Sequence, residues 1–247
     1  RGGRWDGAAF VIDTVDSPSI DRADPADSVG EEVPPNNGAR ANQGSYGNTA
    51  EASKTAPELG CVVSKEVHSL LGPFLSIQSA LNALPTTFTG HSCVLISDNA
   101  TYPEQVTVRN FINAGSSITI YSDTGFRAIV APPVNSTAAF FIVNASVNIQ
   151  GIDVRPTLTM PYGLHISSAY VTLSSVNVQD AGGMISDAGV VLSSWSTVSY
   201  TSVTVGGAST YGFWLPGSTA THVSYSSAQV NSAGAQSPIG EAVARLP

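Results

Sequence analysis

The chain has 247 residues, enough for one large domain or two small ones. Only 11% of them are charged, less than half the usual share, and the formal net charge is −8. That balance excludes nucleic acid as a partner, because phosphates call for clustered Lys and Arg, and no apolar run of about 18 residues is present to insert into a membrane.

Residues 1–57 come first and hold nine of the 18 acids and five of the 10 bases. Their one apolar run, Ala8-Ala9-Phe10-Val11-Ile12, predicts a strand, and turn formers follow it closely (Asp16-Ser17-Pro18, Asp24-Pro25, Pro34-Pro35-Asn36-Asn37-Gly38). Such a stretch cannot bury a core of its own, so it must wrap another surface or stay loose. Asp13, Asp16, Asp21, Asp24 and Asp27 invite a calcium reading, but their spacing matches no loop of fixed ligand geometry. Aspartate beside Ser, Pro and Ala sets Asx-turns instead, and neither a metal nor another cofactor is expected. Arg1-Gly2-Gly3-Arg4 is not followed by an apolar leader, which implies that a leader was removed or that the sequence is a slice of something longer.

The ordered body is expected to begin at residue 58. Ile77, Ala80, Leu81 and Leu84 follow i, i+3, i+4, i+7 spacing and predict a short helix over about 75–84, ended by Pro85. Alternating strands are predicted at Val94/Ile96, Val106/Val108, Ile118/Ile120 and Ala128/Val130. Cys61 and Cys93 sit in strand-like stretches and read either as a disulfide between neighbouring coils or as two buried thiols. N-glycosylation patterns start at Asn99, Asn135 and Asn144, all beside turns.

Four repeats fill residues 139–234. Paired apolar positions recur as Phe141/Val143, Leu164/Ile166, Val190/Leu192 and Phe213/Leu215; as Val147/Ile149, Val171/Leu173, Val198/Tyr200 and Val223/Tyr225; and as Ile152/Val154, Val176/Val178, Val203/Val205 and Ala228/Val230. Corresponding positions lie 23 to 27 residues apart. A spacing of two puts both residues of a pair on one face of a strand. Three strands per repeat, one coil per repeat, predict an all-β, three-faced parallel β-helix. The last 13 residues, from Ala235 on, leave the pattern.

Two stretches carry resemblances. Phe74-Leu75-Ser76-Ile77-Gln78-Ser79-Ala80-Leu81-Asn82-Ala83-Leu84-Pro85, with Val94-Leu95-Ile96 and Ala100-Thr101-Tyr102-Pro103-Glu104-Gln105-Val106, resembles the opening of pectin-lyase-like β-helix proteins, with Ala100 where a glycine is usual. It implies a right-handed coil with an N-terminal capping helix. Asp16-Ser17-Pro18-Ser19-Ile20-Asp21-Arg22-Ala23-Asp24-Pro25 and Asn36-Asn37-Gly38-Ala39-Arg40-Ala41-Asn42-Gln43-Gly44-Ser45-Tyr46-Gly47 resemble the closing segment of bacterial right-handed β-helix repeat proteins, with Ala23 and Ala39 replacing glycines. A closing segment thus stands ahead of an opening one. Three arrangements satisfy that order: the segment of one subunit completes the open end of the next; the sequence is cut across a tandem junction; or the segment folds back on its own body.

Outward positions are those between the paired apolar residues. The third strand's column reads Asp153, Asn177, Thr204, Gln229; the second's, Asn148, Thr172, Ser199, Ser224; the first's, Ile142, His165, Val191, Trp214. The two carboxylates of glycoside hydrolysis are missing, Asp153 with Arg155 reads as a surface ion pair, and no catalytic residue is expected. Pectin methylesterases pair two Asp with flanking glutamines, which this chain lacks. The apolar first column marks a contact face, or a sugar-stacking one through Trp214.

The expected function is therefore structural: an extracellular or cell-surface protein that binds itself head to tail into a fibre. Phe10, Val11, Ile12, Ile20 and Tyr46 belong to the assembly segment, and Ala228 and Val230 form the open rung. The rival expectation is a domain that binds or modifies carbohydrate through Trp214, His165, Asp153 and Arg155, with glycans or polysaccharide as further partners.

Overall fold

The computed structural model describes residues 3–5, 10–12, 61–112, 114–180, 182–193, 195–207, 210–216, 221–230 and 239–240. The chain falls into two compact units, Arg1–Cys61 and Val62–Pro247. In the first, β1 (Gly3–Trp5) and β2 (Phe10–Ile12) form an antiparallel pair, Arg4 opposite Val11. The run Phe10–Ile12 is thus a strand, but one of its edges is already taken by β1. Ile20, Tyr46 and the aspartates of 13–27 lie outside the described residues.

The second unit is a parallel β-solenoid of about six turns with three sheets. Sheet one contains β3 (Val63–Val67), β4 (Ser92–Ile96), β7 (Ile118–Ser122), β10 (Ser146–Gln150), β13 (Tyr170–Ser174), β16 (Ser196–Ser199) and β19 (Thr221–Ser224). Sheet two contains β5 (Thr101–Tyr102), β8 (Ile129–Val130), β11 (Asp153–Val154), β14 (Asn177–Asp180), β17 (Ser202–Val205) and β20 (Ser227–Val230). Sheet three contains β6 (Val106–Val108), β9 (Ala138–Val143), β12 (Met160–Ser167), β15 (Ile185–Leu192), β18 (Tyr211–Trp214) and β21 (Ile239–Gly240). Each coil visits the sheets in that order. The regular coils begin at β4, well before residue 139, and β21 pairs with Phe213 and Trp214, so the ladder reaches into the tail.

One helix precedes the coils, α1 (Ile77–Asn82), shorter at both ends than its apolar spacing predicts. Ser76 caps it by accepting from Ser79 N at 3.1 Å, and the Glu104 carboxylate accepts from the N–H groups of Ile77 and Gln78 at 2.7 and 2.9 Å. These bonds satisfy N–H groups that a helix start leaves unpaired. Ile77, Ala80 and Leu81 join the core.

The inward columns are Val, Ile, Leu and Phe, most of them without solvent contact. The register departs from the predicted pairs in three places. In β9 the residues facing inward are Phe140 and Ile142, which pair with Leu164 and Ile166. Ile142 is therefore core, and Phe141 occupies the outward place expected for it. The run Ala138-Ala139-Phe140-Phe141-Ile142-Val143 has no alternation, so only its partner strand selects the face. In sheet one Val198 pairs with Val223 as predicted but with Leu173 in place of Val171, a slip of two from the predicted alignment. Tyr200 and Tyr225 consequently leave the inward set and stand in turns at φ 48° and 45°. In sheet two Val203 pairs with Val178, placing Asp180 opposite Val205 at an inward position. Its buried carboxylate accepts from Met184 N and Ile185 N, both at 2.8 Å. A slip of two preserves the alternation of faces, so periodicity alone cannot detect it.

Candidate functional site

Sheet three carries the outward column Phe141, His165, Val191, Trp214 in true register. Phe141 stacks on His165 with centroids 5.3 Å apart, Tyr162 tilts over the same ring at 4.9 Å, and Tyr211 stacks on Trp214 at 6.0 Å. Val191 is buried beneath these neighbours, so the column is a packed ribbon with half-buried rings and not an open apolar stripe. Burial lowers the His165 pKa below its ordinary value, and His165 Nδ1 makes no hydrogen bond. Burial, with the neighbouring Asp187 carboxylate, raises that of Tyr162.

Asp153 and Arg155 lie on sheet two, so the residues grouped for the carbohydrate reading occupy different faces of the coil. Asp153 is not a surface residue. Its carboxylate is buried and bonded by Arg127 Nε, by Arg155 Nη2 at 2.8 Å and by Asn177 Nδ2 at 3.0 Å. Arg127 Nη2 also donates to Ser175 O at 2.8 Å, and Ser202 Oγ donates to Asn177 Oδ1 at 2.6 Å. Arg127 went unnoticed in the sequence because it stands in the irregular stretch before β8, outside the paired apolar positions. The network spans successive coils, and its carboxylate is filled with donors, which is the geometry of a structural clamp.

The first coils hold a third buried carboxylate. Asp98 accepts from Ser69 N and Tyr102 Oη, both at 2.7 Å, and from Ala100 N at 3.1 Å. Burial pushes its pKa up, yet these bonds prevail and hold it below the ordinary carboxylate value. Burial and Asp98 together push Tyr102 far up. Burial raises Glu104 against the two helix N–H bonds. The Tyr-x-Glu-x-Val motif therefore ties coils and helix together.

At the other end, Val223, Ala228 and Val230 are half-buried, whereas Val203 and Val205 one coil earlier have no solvent contact to speak of. Asn99, Asn135 and Asn144 are all exposed. Asn135 and Asn144 adopt φ 67° and 51°, a left-handed turn geometry that Asn tolerates, and Asn99 Oδ1 accepts from Arg127 N. Cys61 and Cys93, the only two cysteines, are both disulfide-bonded. Among the described residues no three His, Cys, Asp or Glu gather to hold a metal, and no helix is long and apolar enough to cross a membrane.

A groove of roughly 620 Å³ runs along the outer face of sheet one. Two outward columns line it. The first reads His91, Ser117, Ser146, Tyr170, Trp195 and the second Asn148, Thr172, Thr197, His222. Tyr170 and Trp195 are more than half exposed, with ring centroids 6.4 Å apart. His91 Nδ1 lies 2.9 Å from Ser117 Oγ, and Asn148 Nδ2 donates to Ser117 Oγ and Thr119 Oγ1, both at 3.1 Å. The signal was present in the sequence: an aromatic stands immediately before the first inward residue of two successive coils, Val171 and Ser196.

Comparison with protein-family models, with curated proteins and with solved structures finds no match to this chain. The reading of its function rests on its own residues.

Proposed function

We propose that the chain is a structural building unit without catalytic activity, a right-handed pectin-lyase-like β-helix with α1 as its cap, working outside the cell and stacking head to tail. The N-terminal segment of one copy completes the last coil of the next. The observation that carries this is the half-exposed final rung, Val223, Ala228 and Val230, beneath fully buried rungs. Among the described residues nothing pairs with the outer edges of β19, β20 and β21. An uncovered rung and open strand edges are sites of pairing with another chain. A head-to-tail contact of that kind does not close, and it generates a filament.

The remaining terms have physical support of their own. Parallel strands joined within a sheet favour right-handed connections. The helix packs on β3, β4 and β6, where a cap would sit. The disulfide-bonded cysteines suit an oxidising compartment. The buried carboxylates Asp98, Asp153 and Asp180 all spend their acceptor capacity on donors of the fold, which favours a non-catalytic role.

Negative-stain micrographs and sedimentation velocity of the full chain provide the test. Rods whose length grows with concentration are expected. Val230→Lys places a charge on the open rung and should leave folded monomers, as should removal of residues 1–57. A full-length chain that stays monomeric at every concentration would overturn the reading.

A further inference from the structure

We infer that the groove on sheet one binds an extended, uncharged polysaccharide chain. This inference stands apart from head-to-tail assembly, since it uses a side face and not the ends.

The chemistry of the lining selects the ligand. Among the described residues no carboxylate, amine or guanidinium lines the groove, and imidazoles stand only at its two ends, His91 and His222. Nothing there compensates a phosphate, a sulfate or a row of uronates, and nothing attracts a cation. Nucleic acid, which also stacks on aromatic rings, needs a basic track that is absent. What the lining does offer is a mixed set of Ser, Thr and Asn groups, which donate and accept with equal ease. A ligand that presents many hydroxyls, each both donor and acceptor, is the complement of such a surface.

Tyr170 and Trp195 supply the other half. Their rings are adjacent in one column, over half exposed, and inclined to each other by 32°. Rings of this kind give a rigid apolar platform with a polar edge at low entropic cost. A pyranose ring has an apolar face and a polar rim, so it can lie on the platform while its hydroxyls reach the floor at Thr172 and Thr197. Neither an aliphatic chain nor a fully polar ion uses both features.

Shape selects a polymer over a single sugar. The lining of the groove spans six successive coils, from His91 just before β4 and Ser117 just before β7, through β10, β13 and β16, to His222 in β19. At ~4.8 Å between strands its length is about 24 Å. It is a trough along the coil axis, which holds several linked rings in a row. The face that binds is sheet one, not the sheet-three ribbon of Trp214, whose ring is already stacked on Tyr211.

Affinity electrophoresis of the full chain, in native gels containing hydroxyethylcellulose, arabinoxylan or galactomannan, tests the inference, with polygalacturonate as the charged comparison. At least one neutral polymer should retard the protein, more strongly than polygalacturonate. Trp195→Ala and Tyr170→Ala should each weaken retardation roughly tenfold, as expected for loss of an anchoring aromatic. Thr172→Glu, a charge on the floor, should weaken it as well, and Trp214→Ala should change nothing. Both platform rings are exposed, so the variants keep the far-UV spectrum of the parent. The inference falls if none of the three neutral polymers retards the chain. It falls equally if polygalacturonate retards it most, or if the Tyr170→Ala/Trp195→Ala double variant still binds. Because filament length is read separately, loss of either property leaves the other interpretable.

Discussion

The two ends of the solenoid are held in different ways. At the first coils, side chains reach from one coil to another: Asp98 gathers three donors, Glu104 holds the start of α1, and Gln78 Oε1 accepts from Thr107 N at 2.6 Å. In the last coil, the stretch that carries β19 and β20, residues 221–230, contains no carboxylate, amine or guanidinium and offers Ser226 Oγ to Thr201 N. One end is thus specified by satisfied buried polar groups, which accept only one arrangement. The other is defined mainly by a ladder and an apolar rung, which accept any partner of matching pitch.

The largest break in that contrast is expected from Asp98→Ala. It strands two backbone N–H groups and the Tyr102 hydroxyl and should cost about 3 kcal/mol in urea unfolding, whereas Ser226→Ala should cost about 1 kcal/mol or less. Next comes the apolar rung. Val205→Ala, in a fully buried position, should cost about 2 kcal/mol, and Val230→Ala, half-buried in the last coil, less than about 1 kcal/mol.

Acidity should sharpen the comparison further. The folded pKa of Asp98 is depressed, so its contribution is present above the ordinary value of 3.8 and is lost as pH falls through the lower folded value. Hydrogen-exchange protection of β4 and β5 should therefore decline towards that of β19 and β20 below about pH 4. His165 acts earlier. Its folded pKa is also depressed, so stability should already decline as pH drops below 6.5, and His165→Phe should remove that limb of the profile. The smallest effect is expected from Tyr225→Asn. It loses the parallel ring contact with Tyr200 at 5.3 Å and gains a residue that tolerates φ 45°, for a net change within about 1 kcal/mol.

Much of the fold was legible in the chain because inward Val, Ile and Leu recur with a spacing of two inside a spacing of about 25. The helix was legible from Ile77, Ala80, Leu81 and Leu84. What periodicity could not supply was register. The double phenylalanine at Phe140 and Phe141 hides which ring faces the core, and Tyr200 and Tyr225 imitate inward residues although they stand in turns. The buried Asp180 is hidden for the same reason, since its role depends on backbone N–H groups four and five residues ahead. The groove escaped because its walls are residues drawn from six coils, and a register slip of two in β16 scatters them. Once Val198 is set against Leu173, Tyr170 and Trp195 fall into one column.

A column of glycines fixes how such a coil can be rebuilt. Gly163 and Gly189 lie in neighbouring strands of sheet three, with Gly212 next in line. A Cβ on Gly163 would meet Gly189 O at 2.5 Å, and one on Gly189 would meet Val203 Cγ1 at 2.3 Å and Gly212 O at 2.9 Å. Sheet three can press this closely on the interior only where side chains are missing. Any scheme that lengthens the rod by adding turns inherits that rule. A duplicated turn taken from residues 170–194 brings its own Gly189 and keeps the cross-section, whereas a foreign turn with alanine there would swell it and throw the three ladders out of step.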